Sequence, residues 1–436
     1  MPTLDLVGTL QASSVEALRE CLLRCRTSFQ TYRQVFDEIG ISRADIIGDD
    51  PMAVLQSLPL LQGERFLALM DESLEVGDSI VDLETSSGTM GPRSRRFISS
   101  GDDASDHEFL AEMFAVCGIG PEDRVACLDV DPVNLMVSFT KALDHLGVRE
   151  AYAYCAGPDF TADMAGLRAL DPTVIVAIPS IIERCFESLK LAYAAAPNGN
   201  LKKVVYFGES LSQPALRAME SALGIEVFGY YGATETSSIG AECSAHRGIH
   251  VFTDRNIIEV AREDGAPGTG EIVVTTLKLR TLPLLRYALR DEVAAVSGSC
   301  QCGLEYPRIE VIGRSDDRFS VLGLKVHYVP VLNIVYEVAE PPALMQLEVT
   351  RDGTDGLTVV LPERLRGFED AIRKTLLDRE RELEFLVRGG YLGLTFSFVD
   401  EDYFGGRRKL KRVVDNRGFA GREIPPSSIL PHGGRR

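Results

Sequence analysis

The middle of the chain alternates short apolar runs with longer segments of helical spacing. The apolar runs cover residues 124–130, 151–155, 173–178, 203–207 and 226–231. Segments between them, such as 135–146 and 181–195, repeat apolar residues at the period of an α-helix. This alternation predicts βαβ units and a largely parallel sheet. Because ligands bind beyond the carboxyl ends of strands in such sheets, the loops after these strands are the candidate site.

A second pattern follows residue 313. Residues 344–349 and 357–361 alternate polar and apolar positions on either side of an Asp- and Gly-rich turn, which predicts a hairpin. Leu365, Phe368, Ile372 and Leu376 then mark one apolar helix face. The predicted fold class is α/β. We expect a large N-terminal domain of mainly parallel sheets flanked by helices (residues 1–313) and a small mobile C-terminal α+β domain (residues 314–436), with a short joint.

Composition narrows the class of protein. A chain of 436 residues can bury a large core without disulfides. Its net charge of −18 argues against a nucleic-acid partner or an anionic membrane surface. The sequence has no signal-peptide pattern and no apolar run of about 18 residues. Its nine cysteines lack disulfide-like spacing. We therefore expect a cytoplasmic protein.

Residues 85–91 are rich in hydroxyl groups and glycine. They are Thr85, Ser86, Ser87, Gly88, Thr89, Met90 and Gly91. Glycines let the backbone turn and bring amide groups close to an anion, and the hydroxyls add donors for phosphate oxygens. The stretch is not a Walker A loop, because no Gly-Lys-Ser/Thr follows. A phosphate-binding loop and a surface turn are both compatible with these residues.

Three further stretches carry candidate chemistry. In residues 230–235, two tyrosines end a predicted strand and are followed by glycine, alanine, threonine and glutamate. These residue types suit a base, a phosphate and a divalent cation, and the alternative is a buried strand end before a capped helix. Asp291 can accept hydrogen bonds from two ribose hydroxyls. Residues 313–317 and a basic run at 407–412 complete the series.

In this order and spacing, the stretches resemble the adenylate-forming superfamily, and more closely its phenylacetate-CoA ligase family. The resemblance covers residues 32–417 and implies an AMP-forming acid–thiol ligase. In such an enzyme a carboxylate attacks the α-phosphate of ATP to give an acyl-adenylate and pyrophosphate, and a thiol then displaces AMP. Since a carboxylate and a polyphosphate repel each other, cations and N–H groups must be placed in advance where negative charge accumulates.

The resemblance also implies the binding residues. Thr85, Ser86, Ser87, Gly88, Thr89 and Gly91 would bind the β- and γ-phosphates. Thr234 would contact the α-phosphate, and Glu235 would hold Mg²⁺. Tyr231 would pack on adenine and Asp291 would bind the ribose. The remaining nucleotide contacts are Gly208, Glu209, Tyr230, Gly232 and Arg314.

Lys409 takes the place of the lysine that bridges the carboxylate and the α-phosphate during adenylation in the family. The glycine that precedes this lysine in the family is Arg408 here. The alternative for residues 407–412 is a solvated basic run. Asp316 aligns with the hinge about which the small domain swings between the two half-reactions.

Cys243, His250, Cys300 and Cys302 supply three thiols and an imidazole, a set that suits closed tetrahedral Zn²⁺. Free buried cysteines are the alternative, because the local spacing is atypical. Some members of the family that the chain resembles carry what looks like a structural zinc site at these positions. We therefore expect structural zinc, with His250 rather than His246 as the fourth ligand.

The acyl pocket departs from the phenylacetate-activating pattern. Residues 128–132 replace an aromatic, glycine-rich segment, and Ile181 replaces an aromatic residue. The expected substrate is therefore a small carboxylic acid, aryl or related, rather than phenylacetate itself. The pocket lining predicted from loop positions is Val130, Tyr154, Pro179, Phe207, Gly229 and Ile239.

Coenzyme A is the expected acceptor, and a carrier protein or another nucleophile is the alternative. A non-catalytic nucleotide-binding protein of the same fold is a second alternative, against which Glu235, Asp291 and Lys409 argue. A homodimer is left open.

Overall fold

The computed structural model describes residues 3–76, 79–85, 94–129, 135–155, 160–194, 200–209, 211, 213–262, 268–314, 318–322, 324–339, 344–404 and 411–417. The N-terminal part is mostly helical. Its elements are β1 (Thr3–Leu6), α1 (Ala12–Ser28), α2 (Gln30–Glu38), α3 (Arg43–Ile47), α4 (Pro51–Ser57) and α5 (Gly63–Val76). The apolar faces of these helices pack against Leu282, Leu284 and Leu285 in one core, so the helices cover one part of the main sheet.

A hairpin and a long helix come next. Strands β2 (Ile80–Thr85) and β3 (Arg95–Ser99) pair antiparallel in a separate two-stranded sheet. Helix α6 (Ser100–Val116) follows β3 directly, and the Ser99 side chain accepts a hydrogen bond from the Asp102 amide at its N-terminus. This cap satisfies one of the free amides of the first turn.

The predicted βαβ alternation is confirmed. The elements are β4 (Arg124–Asp129), α7 (Leu135–His145), β5 (Glu150–Cys155), α8 (Phe160–Leu170), β6 (Val174–Ala177), α9 (Pro179–Ala194), β7 (Lys203–Phe207), α10 (Gln213–Leu223) and β8 (Glu226–Ala233). The strands pair in parallel in the order β8-β7-β6-β4-β5. Their apolar side chains are almost all buried, because helices cover both faces of this part of the sheet.

The other half of the same sheet is antiparallel. It contains β9 (Ser237–Glu242), β10 (Ile249–Val251), β11 (Asn256–Arg262), β12 (Thr269–Thr276), β13 (Tyr287–Val296) and β14 (Arg308–Arg314). Within the described residues the full order is β1-β11-β12-β13-β14-β10-β9-β8-β7-β6-β4-β5. The α/β class is confirmed, but the sheet is mixed rather than mainly parallel. The links after β8 are too short for helical crossovers, so neighbouring strands reverse direction.

The C-terminal elements form sheets of their own. They are β15 (Arg318–Val321), β16 (Leu324–His327), α11 (Tyr328–Val338), β17 (Gln346–Asp352), β18 (Thr354–Pro362), a 3₁₀ helix (Glu363–Phe368), α12 (Glu369–Arg379), α13 (Arg381–Arg388), β19 (Leu392–Val399), a 3₁₀ helix (Glu401–Phe404) and β20 (Val413–Asp415). β15 pairs with β16, and the second sheet has the order β19-β18-β17-β20. The division at residue 313 stays a prediction.

The predicted C-terminal hairpin is present with a tighter turn. Strands β17 and β18 pair as far as Asp352 and Thr354, and Gly353 between them has a φ of 74°, which glycine adopts without strain.

Of the residues predicted on one apolar helix face, Leu365, Ile372 and Leu376 are buried as predicted, whereas Phe368 is 39% exposed. Phe368 ends a 3₁₀ helix, whose tighter winding turns it away from the face of α12.

The C-terminal elements share a core with the parallel strands. Val331 and Leu332 of α11 and Leu347 of β17 belong to the same buried cluster as β4 to β8. The Tyr336 hydroxyl of α11 also donates to the Glu183 carboxylate of α9 over 3.0 Å. None of the helices in the described part of the chain combines the length and the apolar character needed to span a bilayer.

Candidate active site

The predicted phosphate loop starts at the tip of the β2–β3 hairpin. Thr85 is the last residue of β2 and lies opposite Arg95 of β3. The predicted residues from Ser86 to Gly91 lie outside the described residues. Thr85 therefore ends a strand of a small separate sheet rather than a strand of the parallel sheet.

The second predicted stretch spans the end of β8. Tyr230, Tyr231 and Gly232 lie in the strand, whereas Thr234 and Glu235 form the turn into β9. The Tyr230 hydroxyl lies 3.1 Å from Ser238 Oγ, and burial raises the pKa of Tyr230 to about 12. A Cβ at Gly232 would lie 2.6 Å from the Ser237 carbonyl oxygen. Only glycine therefore allows this close approach of β8 to β9.

Tyr231, Asp291 and Arg314 come together from strands β8, β13 and β14. The Tyr231 hydroxyl donates to Asp291 Oδ2 over 2.6 Å. Asp291 of β13 pairs in register with Arg314 of β14, and Arg314 Nε lies 3.7 Å from Asp291 Oδ1. Burial, and then the Asp291 charge, raise the pKa of Tyr231 well above its ordinary value. The Tyr231 phenol is thus a neutral donor that orients the Asp291 carboxylate.

Gly208 and Glu209 follow β7 directly beside this group. Phe207 at the end of β7 lies opposite Tyr230 in the parallel register. Gly208 has a φ of 72°, so the chain turns sharply there. Glu209 Oε2 accepts a hydrogen bond from the Ser180 amide over 3.0 Å. The glutamate therefore joins the loop after β7 to the first turn of α9.

Tyr287 is a neighbour of this site that the sequence pattern did not identify. The Glu235 charge is the main cause, after burial, of its raised pKa, so its phenol lies near Glu235. Its ring packs on Phe66 of α5, with ring centres 4.7 Å apart. In the sequence, its position four residues before Asp291 was the one indication that Tyr287 belongs to the site. An aromatic residue at that spacing is equally typical of a buried strand.

The predicted acyl-pocket residues come from several elements. Phe207 and Gly229 are buried on the neighbouring strands β7 and β8, and Pro179 is buried at the start of α9. Tyr154 is on β5, at the far end of the parallel strands from β8, and Ile239 on β9 packs with Ile249 and Val251. Val130 lies outside the described residues, as do Asp316 and Lys409.

The four predicted zinc ligands come together at the other end of β9. Cys243 follows β9, His250 is in β10, and Cys300 and Cys302 lie between β13 and β14. Their ligand atoms all lie within 4.8 Å of one another. Cys243 Sγ is 3.6 Å from Cys300 Sγ, and Cys302 Sγ is 3.4 Å from His250 Nε2.

The contacts around this cluster explain why His250, and not His246, belongs to it. His250 is fully buried, and its Nδ1 lies 3.2 Å from the Tyr306 carbonyl oxygen, which leaves Nε2 directed at the thiols. His246 instead lies 3.6 Å from Glu242 and packs on Phe228. Burial raises the pKa of Cys243 to about 12, while the Cys302 amide lowers that of Cys300. The other described cysteines of the core, Cys21, Cys25, Cys117, Cys127 and Cys185, are fully buried and do not belong to this cluster.

Several known proteins are similar to this chain. A family model for "AMP-binding enzyme" matches residues 149–274. Phenylacetate-coenzyme A ligase of Escherichia coli (strain K12) is 26% identical over 369 residues, which cover 81% of this chain and 82% of that protein. A crystal structure of 2-hydroxyisobutyryl-CoA ligase in the postadenylation state, with R3-HIB-AMP, gives a TM-score of 0.76 at 18% identity over 93% of this chain and 89% of that one.

The same ligase in the thioesterification state, with 2-HIB-AMP and CoA, gives a TM-score of 0.61 at 19% identity over 93% of this chain and 89% of that one. The fold and the matched AMP-binding region are those of adenylate-forming enzymes. Over most of its length the chain is similar to a phenylacetate-coenzyme A ligase, and it is an AMP-forming ligase.

Proposed function

We propose that this enzyme activates a small carboxylic acid, aryl or related, with ATP and Mg²⁺, and then transfers the acyl group to coenzyme A. The acid carboxylate attacks the α-phosphate, pyrophosphate leaves, and the thiol of coenzyme A displaces AMP from the acyl-adenylate. The observation that carries the proposal is the group of Tyr231, Asp291 and Arg314 directly beside the turn with Thr234 and Glu235.

The geometry suits a nucleotide. Asp291 Oδ2 accepts a hydrogen bond from Tyr231 and Oδ1 lies near Arg314, and a carboxylate oriented in this way is a suitable acceptor for ribose hydroxyls. The Arg314 side chain is 54% exposed, so its cation can face a ligand. In the same site, Thr234 would contact the α-phosphate, Glu235 would hold Mg²⁺, and Lys409 would bridge the α-phosphate and the acid.

The acid would lie near Pro179 and Gly229. A Cβ at Gly229 would lie 2.9 Å from the Tyr206 hydroxyl and 3.4 Å from Ile249 Cδ1, so this part of the pocket has no room for a larger residue. Tyr206 is buried, which raises the pKa of its phenol, and the group stays neutral. These close walls favour a small acid.

Pyrophosphate exchange tests the proposal. The purified enzyme would be assayed with phenylacetate, 2-hydroxyisobutyrate and anthranilate, the acids that relatives and structural neighbours are named for. We expect exchange with one of them or with a related acid, followed by a thioester when coenzyme A is added. Tight ATP binding without exchange for any acid would favour the non-catalytic alternative. If exchange is seen but a thioester forms only when a carrier protein is added, the acceptor is a carrier protein rather than coenzyme A.

We infer that Cys243, His250, Cys300 and Cys302 bind structural Zn²⁺. Tetrahedral zinc–thiolate bonds of about 2.3 Å place two sulfurs about 3.8 Å apart, close to the 3.6 Å between Cys243 and Cys300. Four protein ligands leave no open position for catalysis, so zinc would join β9, β10 and the β13–β14 turn. Magnesium, a cytoplasmic location and a homodimer stay predictions.

A further inference from the structure

A buried arginine lies between the two segments that the proposed function assigns to ATP. Arg96 of β3 is 3% exposed and lies opposite Glu84 of β2. Its Nη2 is 3.2 Å from Glu84 Oε2 and 2.6 Å from Asp106 Oδ2 of α6. One guanidinium nitrogen therefore joins the hairpin to the helix behind it.

Each of the two carboxylates, Glu84 and Asp106, connects Arg96 to a segment of the candidate site. Glu84 immediately precedes Thr85, where the predicted phosphate loop begins. The side chain of Asp106 hydrogen-bonds that of Ser237, two residues after Glu235. Ser237 has a φ of 59°, a left-handed conformation that needs support from its surroundings. The chain of contacts therefore runs from the start of the phosphate loop, through Arg96, to the turn assigned to Mg²⁺.

The connection between β2 and α6 depends on Arg96, because the two carboxylates that it joins are buried. Burial raises the pKa of both Glu84 and Asp106, and the Arg96 charge opposes that effect in each case. Without the cation, two nearby carboxyls would be left in a buried region without a counter-charge. Arg96 Nε and Nη1 are buried and have no hydrogen-bond partner among the described residues, so the ion pairs are what hold the side chain.

We propose that Arg96 is a positioning residue that holds Glu84 and Thr85 at the end of β2 in place relative to the Thr234–Glu235 turn, and thereby sets the affinity for Mg²⁺–ATP. The inference rests on the proposed function for the identity of the ligand. It assigns Arg96 no contact with the nucleotide.

The test compares Arg96→Met, Arg96→Lys and Asp106→Asn with the wild type. Arg95→Met is the matched control, because Arg95 is the neighbouring arginine and pairs with Asp71 at the surface. Mg²⁺–ATP binding is measured by titration calorimetry, KM values for ATP and for the acid by pyrophosphate exchange, and folding by thermal melting. We expect Arg96→Met and Asp106→Asn to weaken Mg²⁺–ATP binding about tenfold or more, with little change in KM for the acid. Arg96→Lys should restore part of the affinity, and Arg95→Met should match the wild type.

Two results would overturn the inference. One is a lower melting temperature for both Arg96→Met and Asp106→Asn with unchanged Mg²⁺–ATP affinity, since that shows a purely structural role. The other is an equal rise in KM for ATP and for the acid. If Arg96→Met does not fold, Arg96→Lys and Asp106→Asn decide by the same criteria. Calorimetry needs no turnover, so a wild type that binds ATP without exchanging pyrophosphate would reject the proposed function while still testing Arg96.

Discussion

Ser237, Arg286 and Arg290 all have φ between 54° and 65°, a region that residues other than glycine rarely adopt. All three lie close in sequence to Glu235 or Asp291. The Arg286 side chain shows how such a conformation is held. Its Nε and Nη2 donate to the Glu259 carboxylate over 2.9 and 3.0 Å, and its Nη1 donates to the Gln56 and Leu58 carbonyls. Buried side-chain contacts thus fix the backbone around the candidate nucleotide site.

At the same scale, Tyr231→Phe removes one donor from Asp291. The carboxylate loses the 2.6 Å hydrogen bond that orients Oδ2. We expect KM for ATP to rise about fivefold, which corresponds to a lost hydrogen bond of about 1 kcal/mol, with a smaller effect on kcat. Steady-state kinetics at varied ATP measure this. Tyr152→Phe, which loses a surface hydrogen bond to Glu150, is the control and should match the wild type. A kcat loss at constant KM would contradict the positioning role.

At the scale of elements, Cys302→Ser tests the link between β9, β10 and the β13–β14 turn. Loss of one thiolate should abolish zinc binding and lower stability by about 3 kcal/mol, the contribution of a ligand at a hundredfold excess over its Kd. Elemental analysis and chemical denaturation provide the measurements. His246→Gln is the control, because His246 contacts Glu242 rather than the cluster, and it should retain one zinc per chain. A wild type without zinc would rule out the site.

Strand β20 is joined to the β17–β18 hairpin by charged groups. Arg417, two residues after β20, lies 2.7 Å from Asp355 Oδ2, and Arg351 lies 2.6 Å from Oδ1. The Arg351 hydrogen bond, followed by those of Arg417, lowers the pKa of Asp355. Because Lys409 precedes β20 by a few residues, this network fixes the strand that follows the proposed catalytic lysine.

Asp355→Asn should lower the free energy of unfolding by about 2 kcal/mol at pH 7. The folded pKa of Asp355 lies below the ordinary value of 3.8, so its stabilisation is complete above that pH and is lost as the pH falls through the folded pKa. The difference between variant and wild type should therefore shrink below about pH 4. Denaturation at several pH values measures it. Glu363→Gln, which breaks the surface pair with Arg366, should change stability little. A difference that is independent of pH would contradict the ionic origin.

At the scale of the whole molecule, Lys409→Ala tests the two-conformation cycle. The lysine would act only while the small domain faces the adenylation site. We therefore expect pyrophosphate exchange to fall at least about a hundredfold, while thioester formation from supplied acyl-adenylate stays near the wild-type rate. Lys411→Ala is the control for general loss of positive charge. Equal loss of both half-reactions would contradict the cycle.

The alternating pattern of residues 124–231 was enough to predict the parallel strands, because each buried strand is a local apolar run. The antiparallel half was not predicted, since pairing of β9 to β14 depends on turn geometry rather than on the apolar period. The pairing of Tyr231 with Asp291 also needed the structure, because the two residues are 60 positions apart in the sequence.

The sequence by itself predicted the fold class and the four candidate zinc ligands that the structure brings together, and the nucleotide-binding stretches that it indicates stay predictions. These features depend on local periodicity and on residue types that only a few chemistries require. The tertiary structure alone decided that Thr85 ends a strand of a separate hairpin, that Tyr231 contacts Asp291, and that Arg96 joins Glu84 to Asp106. Such contacts join distant segments whose side chains are ordinary in sequence, so only the packing of elements brings them together.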